Sequence, residues 1–172
     1  MKCDAVKFAG MYEEIYRDLY RFALCMMKNP QDAEDVVSEA VIRGYERVHS
    51  LKKEEAFKGW MFTILSRMCK KKLAAMAKIR TAHEAEFFER LEGESGEDGM
   101  NLSLDVRRAF AVLSEEEQMI VGLSVFGGYQ SKEIGEMLKL KSGTVRSKRS
   151  RALSKMSVIL APAEAGSQAA YY

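Results

Sequence analysis

Two short helical segments, Ser131–Leu138 and Ser142–Ala152, stand only three residues apart, and that spacing constrains the fold more than any other feature of the chain. The joint is Lys139-Leu140-Lys141, short enough to hold the two helices at a tight corner. Thr144 is placed to cap the second helix by accepting a bond from a free N–H of its first turn. Arg146, Lys148, Arg149 and Arg151 then follow along that helix with no acidic residue among them. A tight helix pair with a basic second member is the outline of a helix-turn-helix, whose second helix enters a major groove.

Charge distribution carries the same message. The net charge is only +2 over 172 residues, yet Phe57 to Arg80 holds Lys58, Arg67, Lys70, Lys71, Lys72, Lys78 and Arg80 without one acid. A second acid-free run contains Lys139, Lys141, Arg146, Lys148, Arg149, Arg151 and Lys155. Between them Glu84, Glu86, Glu89, Glu92, Glu94, Glu97 and Asp98 stand against Arg90 alone. One basic run is as readily a solvated helix face, but two in so short a chain indicate two contacts with a polyanion. Three cysteines, Cys3, Cys25 and Cys69, without C-x-x-C spacing read as reduced thiols of a cytosol. Cys25 and Cys69 fall in helical patterns as packing residues rather than ligands. No signal peptide or long apolar run occurs, so membrane insertion is not expected.

The remainder reads as helix throughout. Tyr12, Ile15, Tyr16, Leu19, Tyr20, Ala23 and Met26 recur at helical spacing within Phe8 to Met27. Asn29 can cap the next helix, with Pro30 at its first position and Asp32 and Glu34 near its positive end. That helix carries Ala33, Val36, Val37, Ala40, Val41 and Val48 on one side and Asp32, Asp35, Glu39, Arg43 and Glu46 on the other. A polar loop, His49 to Glu55, leads to a third helix whose predicted buried stripe is Phe57, Trp60, Ile64 and Met68. A short helix over Ala82 to Leu91 precedes Glu92 to Gly99, too polar and glycine-rich to bury anything. Ser114 and Glu117 form a capping box for a helix through Met119, Ile120, Leu123 and Val125, which Gly127-Gly128 breaks. The expected fold is all-α: a three-to-four-helix domain over 1–78, a flexible acidic linker over 79–101, a helix-turn-helix domain over 102–160 and a disordered tail over 161–172.

This order resembles that of the extracytoplasmic-function sigma factors, small specificity subunits of bacterial RNA polymerase, over about Tyr12 to Leu160. Asp32-Ala33-Glu34-Asp35-Val36-Val37-Ser38-Glu39-Ala40 resembles the family's D-A-E-D-hydrophobic-hydrophobic-x-E stretch. Phe57-Lys58-Gly59-Trp60-Met61-Phe62-Thr63-Ile64 resembles its F-x-x-W-L-x-x-I. Leu113 to Leu123, Gly128 to Gly135 and Gly143-Thr144-Val145-Arg146-Ser147 resemble its C-terminal domain. Each piece is modest alone; three in order with a linker are specific.

The resemblance implies a region-2 domain that binds core RNA polymerase and opens the −10 promoter element, and a region-4 domain that reads the −35 element. Polymerase contacts would come from Asp32, Asp35, Glu39 and Arg43. Lys58, Arg67, Lys70, Lys71 and Lys72 would supply charge for opening the −10 duplex, where unstacking a base must be offset. Trp60 is read as core rather than as a stacking platform. At the −35 element the resemblance points to Thr144, Arg146, Ser147, Lys148, Ser150 and Arg151, with Lys148 and Lys155 suited to phosphate. Gly135 falls where the helix pair needs a small residue, and Val145, Leu153 and Met156 are assigned to the core. Arg67 and Lys71 stand where the family often has Asn and Asp, and Gln130 stands at a usual Ser or Thr cap, with Ser131 able to cap one residue later. Arg149 replaces an aliphatic residue, so either its side chain snorkels or the helix is rotated.

The partners implied are core RNA polymerase, promoter DNA and an anti-sigma factor, in the cytoplasm, with no small-molecule substrate and no cofactor. An alternative is a sigma-like decoy or adaptor that binds an anti-sigma factor instead of promoter DNA, against which the intact basic runs argue. An enzyme lacks its parts: the histidines are His49 and His83 alone, with no metal-ligand cluster and no glycine-rich loop after a strand.

Overall fold

Seven α-helices and two short 3-10 turns make up the regular structure among the described residues, 2–80 and 102–161 of this computed structural model; no strand occurs there. They fall into two units, Met1–Asn101 and Leu102–Tyr172. The short helix expected over 82–91, the glycine-rich acidic stretch and almost all of the expected tail lie outside the described residues.

In the first unit α1 (Ala5–Met27), α2 (Pro30–Arg47) and α3 (Phe57–Arg80) each pack on the other two. Asp4 caps α1, its Oδ1 accepting from the Lys7 N–H at 2.8 Å. The helix stops where Lys28 turns left-handed at φ 61° and donates its N–H to the Leu24 carbonyl. Asn29 and Pro30 start α2 as the sequence indicates, Asn29 Oδ1 accepting from the Asp32 N–H at 3.0 Å. The connection to α3 makes the turns Val48–Ser50 and Glu54–Ala56, with Val48 and Leu51 buried.

The buried stripe of α3 differs from the expected one. Phe57 is buried, but the residues that follow it inward are Met61, Phe62, Leu65, Cys69 and Leu73, while Trp60, Ile64 and Met68 are only half-buried. The two sets are offset by one residue, about 100° around the helix. Both are apolar, so periodicity alone does not say which one α1 and α2 cover. Phe62 meets Phe22 of α1 edge-on at a centroid distance of 5.8 Å. Gly44 of α2 lies over Met61: a Cβ there would fall 2.6 Å from the Met61 sulfur. Cys25 and Cys69 are buried in this core, as expected of packing residues. Burial pushes the Cys69 thiol up to about 12.

The second unit contains α4 (Leu104–Ala111), α5 (Glu115–Val125), α6 (Ser131–Leu138) and α7 (Ser142–Leu160). α7 touches the other three, so its inward residues Val145, Ala152 and Met156 hold the unit together. They meet a core of Phe110, Met119, Ile120, Leu123 and Ile134. The capping box forms as read: Ser114 Oγ accepts from the Glu117 N–H at 3.2 Å, and Glu117 accepts from the Ser114 N–H at 2.9 Å. The buried Gln118 amide donates to the Phe110 carbonyl at 2.7 Å, tying α5 to the end of α4. At α6, Gln130 is the cap residue and Glu133 accepts its N–H at 2.7 Å, while Ser131 is already the first helical residue.

Gly135 sits where α6 and the joint meet. A Cβ there would lie 2.6 Å from the Leu140 carbonyl oxygen, backbone that cannot swing aside, and the Leu140 N–H donates to the Gly135 carbonyl at 2.8 Å. Gly135→Ala is expected to lower stability by about 1–3 kcal/mol despite alanine's better helix propensity. Gly44→Ala should cost less, because the Met61 thioether can move. Urea unfolding of the two variants measures this, and equal midpoints would refute it.

The Glu117 carboxylate is held below its ordinary 4.5, chiefly by the Lys155 ammonium at 2.8 Å and next by the Ser114 N–H. A depressed acid contributes stability above its unfolded value and loses it as pH falls through the folded one. The second unit should therefore weaken below about pH 4.5, and Glu117→Gln should flatten that part of the profile. Parallel wild-type and variant profiles of unfolding midpoint against pH would refute the assignment.

Candidate nucleic-acid interface

α7 has two faces set by helical spacing. Opposite the inward residues, Arg146, Ser147, Ser150 and Arg151 are exposed, paired at i, i+4 as 146 with 150 and 147 with 151. Arg151 lies back along the helix, donating from Nε to the Ser147 carbonyl at 3.4 Å and from its terminal nitrogen to Ser147 Oγ at 3.3 Å. The guanidinium of Arg146 has no ion-pair partner among the described residues. Exposed arginines on a helix that is short of acids suit the edge of guanine and the phosphates beside it.

Two expectations for this helix, the cap at Thr144 and the burial of Leu153, are corrected. Thr144 does not cap it: the cap residue is Lys141, whose carbonyl accepts the Val145 N–H at 3.0 Å, so the helix has begun before Thr144 is reached. The first-turn N–H groups therefore lack a side-chain cap, an end that a phosphate can meet. Lys148 is not with the exposed group. It is half-buried, with Nζ 3.0 Å from Glu116 of α5, as Lys155 is bonded to Glu117. Leu153 is 46% exposed rather than core, because Ala152 takes the inward position beside it. Arg149 shares the inward stripe with Val145, Ala152 and Met156 and is half-buried, which fits a snorkelling side chain on an unrotated helix.

In the first unit the five lysines and arginines assigned to the −10 element divide. Lys58 pairs with Asp18 of α1 at 3.4 Å and Lys72 with Asp32 of α2 at 3.6 Å. Arg67, Lys70 and Lys71 are exposed and make no ion pair among the described residues. Arg67 and Lys71 share a face with the half-buried Trp60, Ile64 and Met68, spaced by three, four and seven residues. Sequence reading assigned Trp60, Ile64 and Met68 to the core and so missed that they form a half-exposed strip; the signal was the competing i, i+4 series Met61, Leu65 and Cys69 beside them. Trp60 is thus half-exposed at 6.2 Å from the Phe57 ring, not core.

The residues assigned to polymerase lie on the outer side of α2. Asp35 accepts from Gln31 at 3.1 Å, Glu39 pairs with Arg43 at 3.2 Å, and Asp32 is held by Lys72. Asp35 and Glu39 continue at helical spacing into Ile42, 59% exposed, and Tyr45 nearby is 47% exposed. Neither was singled out from sequence; an apolar residue three positions after Glu39 was the available sign. No helix among the described residues is long and apolar enough to cross a membrane, and no group of three His, Cys, Asp or Glu side chains there could hold a metal ion.

Comparison with known proteins agrees with this geometry. Residues 11–78 match sigma-70 region 2 and residues 103–156 match sigma-70 region 4. RNA polymerase sigma factor SigV of Bacillus subtilis is 29% identical over 144 residues, covering 84% of this chain and 85% of that protein. ECF RNA polymerase sigma factor SigL of Mycobacterium tuberculosis is 26% identical over 149 residues, covering 84% of each. The sigma factor RpoE of Bartonella quintana, crystallised with the anti-sigma factor NepR, superimposes with a TM-score of 0.76 at 20% identity, over 90% of this chain and 97% of that one. At that identity the likeness speaks for the fold. With regions 2 and 4 both present and in order, the chain belongs to the sigma-70 family, in its extracytoplasmic-function branch.

Proposed function

We infer that the chain is an alternative sigma factor: it binds core RNA polymerase and directs promoter-specific transcription initiation, with no chemistry of its own. The observation that carries this reading is the presence of both sigma regions, each with exposed cations that no acid of the described residues neutralises. Residues 1–78 serve as the polymerase and −10 domain, 79–101 as the linker and 102–160 as the −35 domain, acting in the cytoplasm. Arg146 and Arg151 read base edges at the −35 element, with Ser147, Ser150 and Thr144 alongside, while Lys148 steadies the helix through Glu116. Arg67, Lys70 and Lys71 meet the −10 backbone directly; Lys58 and Lys72 reach it only by leaving Asp18 and Asp32. Asp32, Asp35, Glu39 and Arg43 form the polymerase contact. An anti-sigma factor is the partner that would hold the free chain. A decoy that met only such an inhibitor would have no use for unpaired cations on both units.

Added to core polymerase, the purified chain should support transcription from promoters selected with the holoenzyme. Core binding without any opened promoter would favour the decoy. Arg146→Ala and Arg151→Ala should each weaken promoter binding by about 1–3 kcal/mol, concentrated at one base pair of the −35 element. Loss spread evenly over all DNA sequences, measured by competition binding, would move that residue to phosphate contact.

A further inference from the structure

The first turn of α1 lies before residue 11, where the match to region 2 begins, yet it makes three contacts around the connection between α2 and α3. Lys7 Nζ stands 2.7 Å from Glu54 Oε2, in the turn that leads into α3. Its neighbour Phe8 is 4% exposed and meets two rings edge-on, Tyr45 of α2 at 5.3 Å and Phe57 at the start of α3 at 5.4 Å. Tyr45 and Phe57 flank the connection between α2 and α3, so one aromatic side chain grips both of its ends. Within that connection Val48 and Leu51 are buried, while His49, Ser50, Lys52 and Lys53 are exposed. The exposed stretch therefore hangs between a buried base on one side and Glu54 on the other.

We propose that this N-terminal turn is a brace for the α2–α3 loop, with Lys7 and Phe8 as positioning residues for opening of the −10 element. The inference rests on the function proposed above, which places −10 opening in residues 1–78; the loop leads directly into α3, whose Arg67, Lys70 and Lys71 that function sets on the −10 backbone. Phe8 sets the distance between the loop's ends, and Lys7 holds Glu54 so that Lys52 and Lys53 project from a fixed base. The Glu54 carboxylate in turn raises the Lys7 ammonium above its ordinary value. Both side chains are partly exposed, 42% and 52%, so the ion pair tunes the loop while the Phe8 cluster holds it.

Charge reversal tests the brace without emptying the core. Lys7→Glu, Glu54→Lys and the double swap would be compared in the full chain. In the free protein, hydrogen exchange of the amides of residues 51–56 should quicken about two- to five-fold in each single variant and return in the swap. In the holoenzyme, permanganate reactivity of −10 thymines, on promoters selected with the wild type, should fall by a similar factor in each single variant. Core affinity should not change, and the swap should restore opening. A direct charge effect on DNA predicts opposite signs, Lys7→Glu weakening and Glu54→Lys strengthening, and that result overturns the proposal. Unchanged exchange also overturns it, as does quickened exchange with unaltered opening. If the wild type opens no promoter, the sigma function fails instead, and the exchange experiment still judges the brace.

Discussion

The approach of Gly135 to the Leu140 carbonyl is the contact on which the second unit depends. It allows the backbone to turn from α6 into α7 within three residues, and it decides where α7 starts. From that start the helix register follows: Val145, Ala152 and Met156 fall inward, and Arg146, Ser147, Ser150 and Arg151 fall outward. A bulkier residue at 135 would shift the start of α7 and, with it, the direction of every side chain that faces away from the core. Packing and recognition are thus two consequences of one steric limit.

The positive charge of both units is sorted in the same way. Lys58, Lys72, Lys148 and Lys155 each reach an acid of a neighbouring helix, whereas Arg67, Lys70, Lys71 and Arg146 make no ion pair among the described residues. Partly exposed pairs of this kind add little stability individually. Their value is directional, since they fix helices against one another and leave Arg67, Lys70 and Lys71 exposed on α3 and Arg146 exposed on α7. Lys72 and Asp32 join α3 to α2 between the two surfaces assigned to separate partners.

Much of the fold was legible because local chemistry decides it. Asn29 with Pro30, and Ser114 with Glu117, satisfy free N–H groups with neighbours in sequence, and they appear where they were read. The same holds for Gly135, a demand made by a short joint. What failed depended on partners distant in sequence. The α3 stripe slipped by one residue because two apolar series compete there and only α1 and α2 choose between them. Trp60 left the core for that reason, and Leu153 left it because Ala152 sufficed. Thr144 lost its cap role because the joint already delivers Lys141 in the cap position. The Lys148 ion pair was not legible because no local signal marks Glu116 as its partner. Composition located the basic surfaces; it could not say which cations were already engaged.

The burial of Cys25 and Cys69 bears on how such a factor is controlled. A thiol reacts with oxidants or disulfides through its thiolate, and burial holds that form of Cys69 to a vanishing fraction at neutral pH. All three cysteines of the chain are among the described residues, and Cys3 alone is not buried. The two core thiols of the first unit are consequently shielded from oxidants in solution. An oxidant acting on the thiols of the folded chain would meet Cys3 first, outside that core.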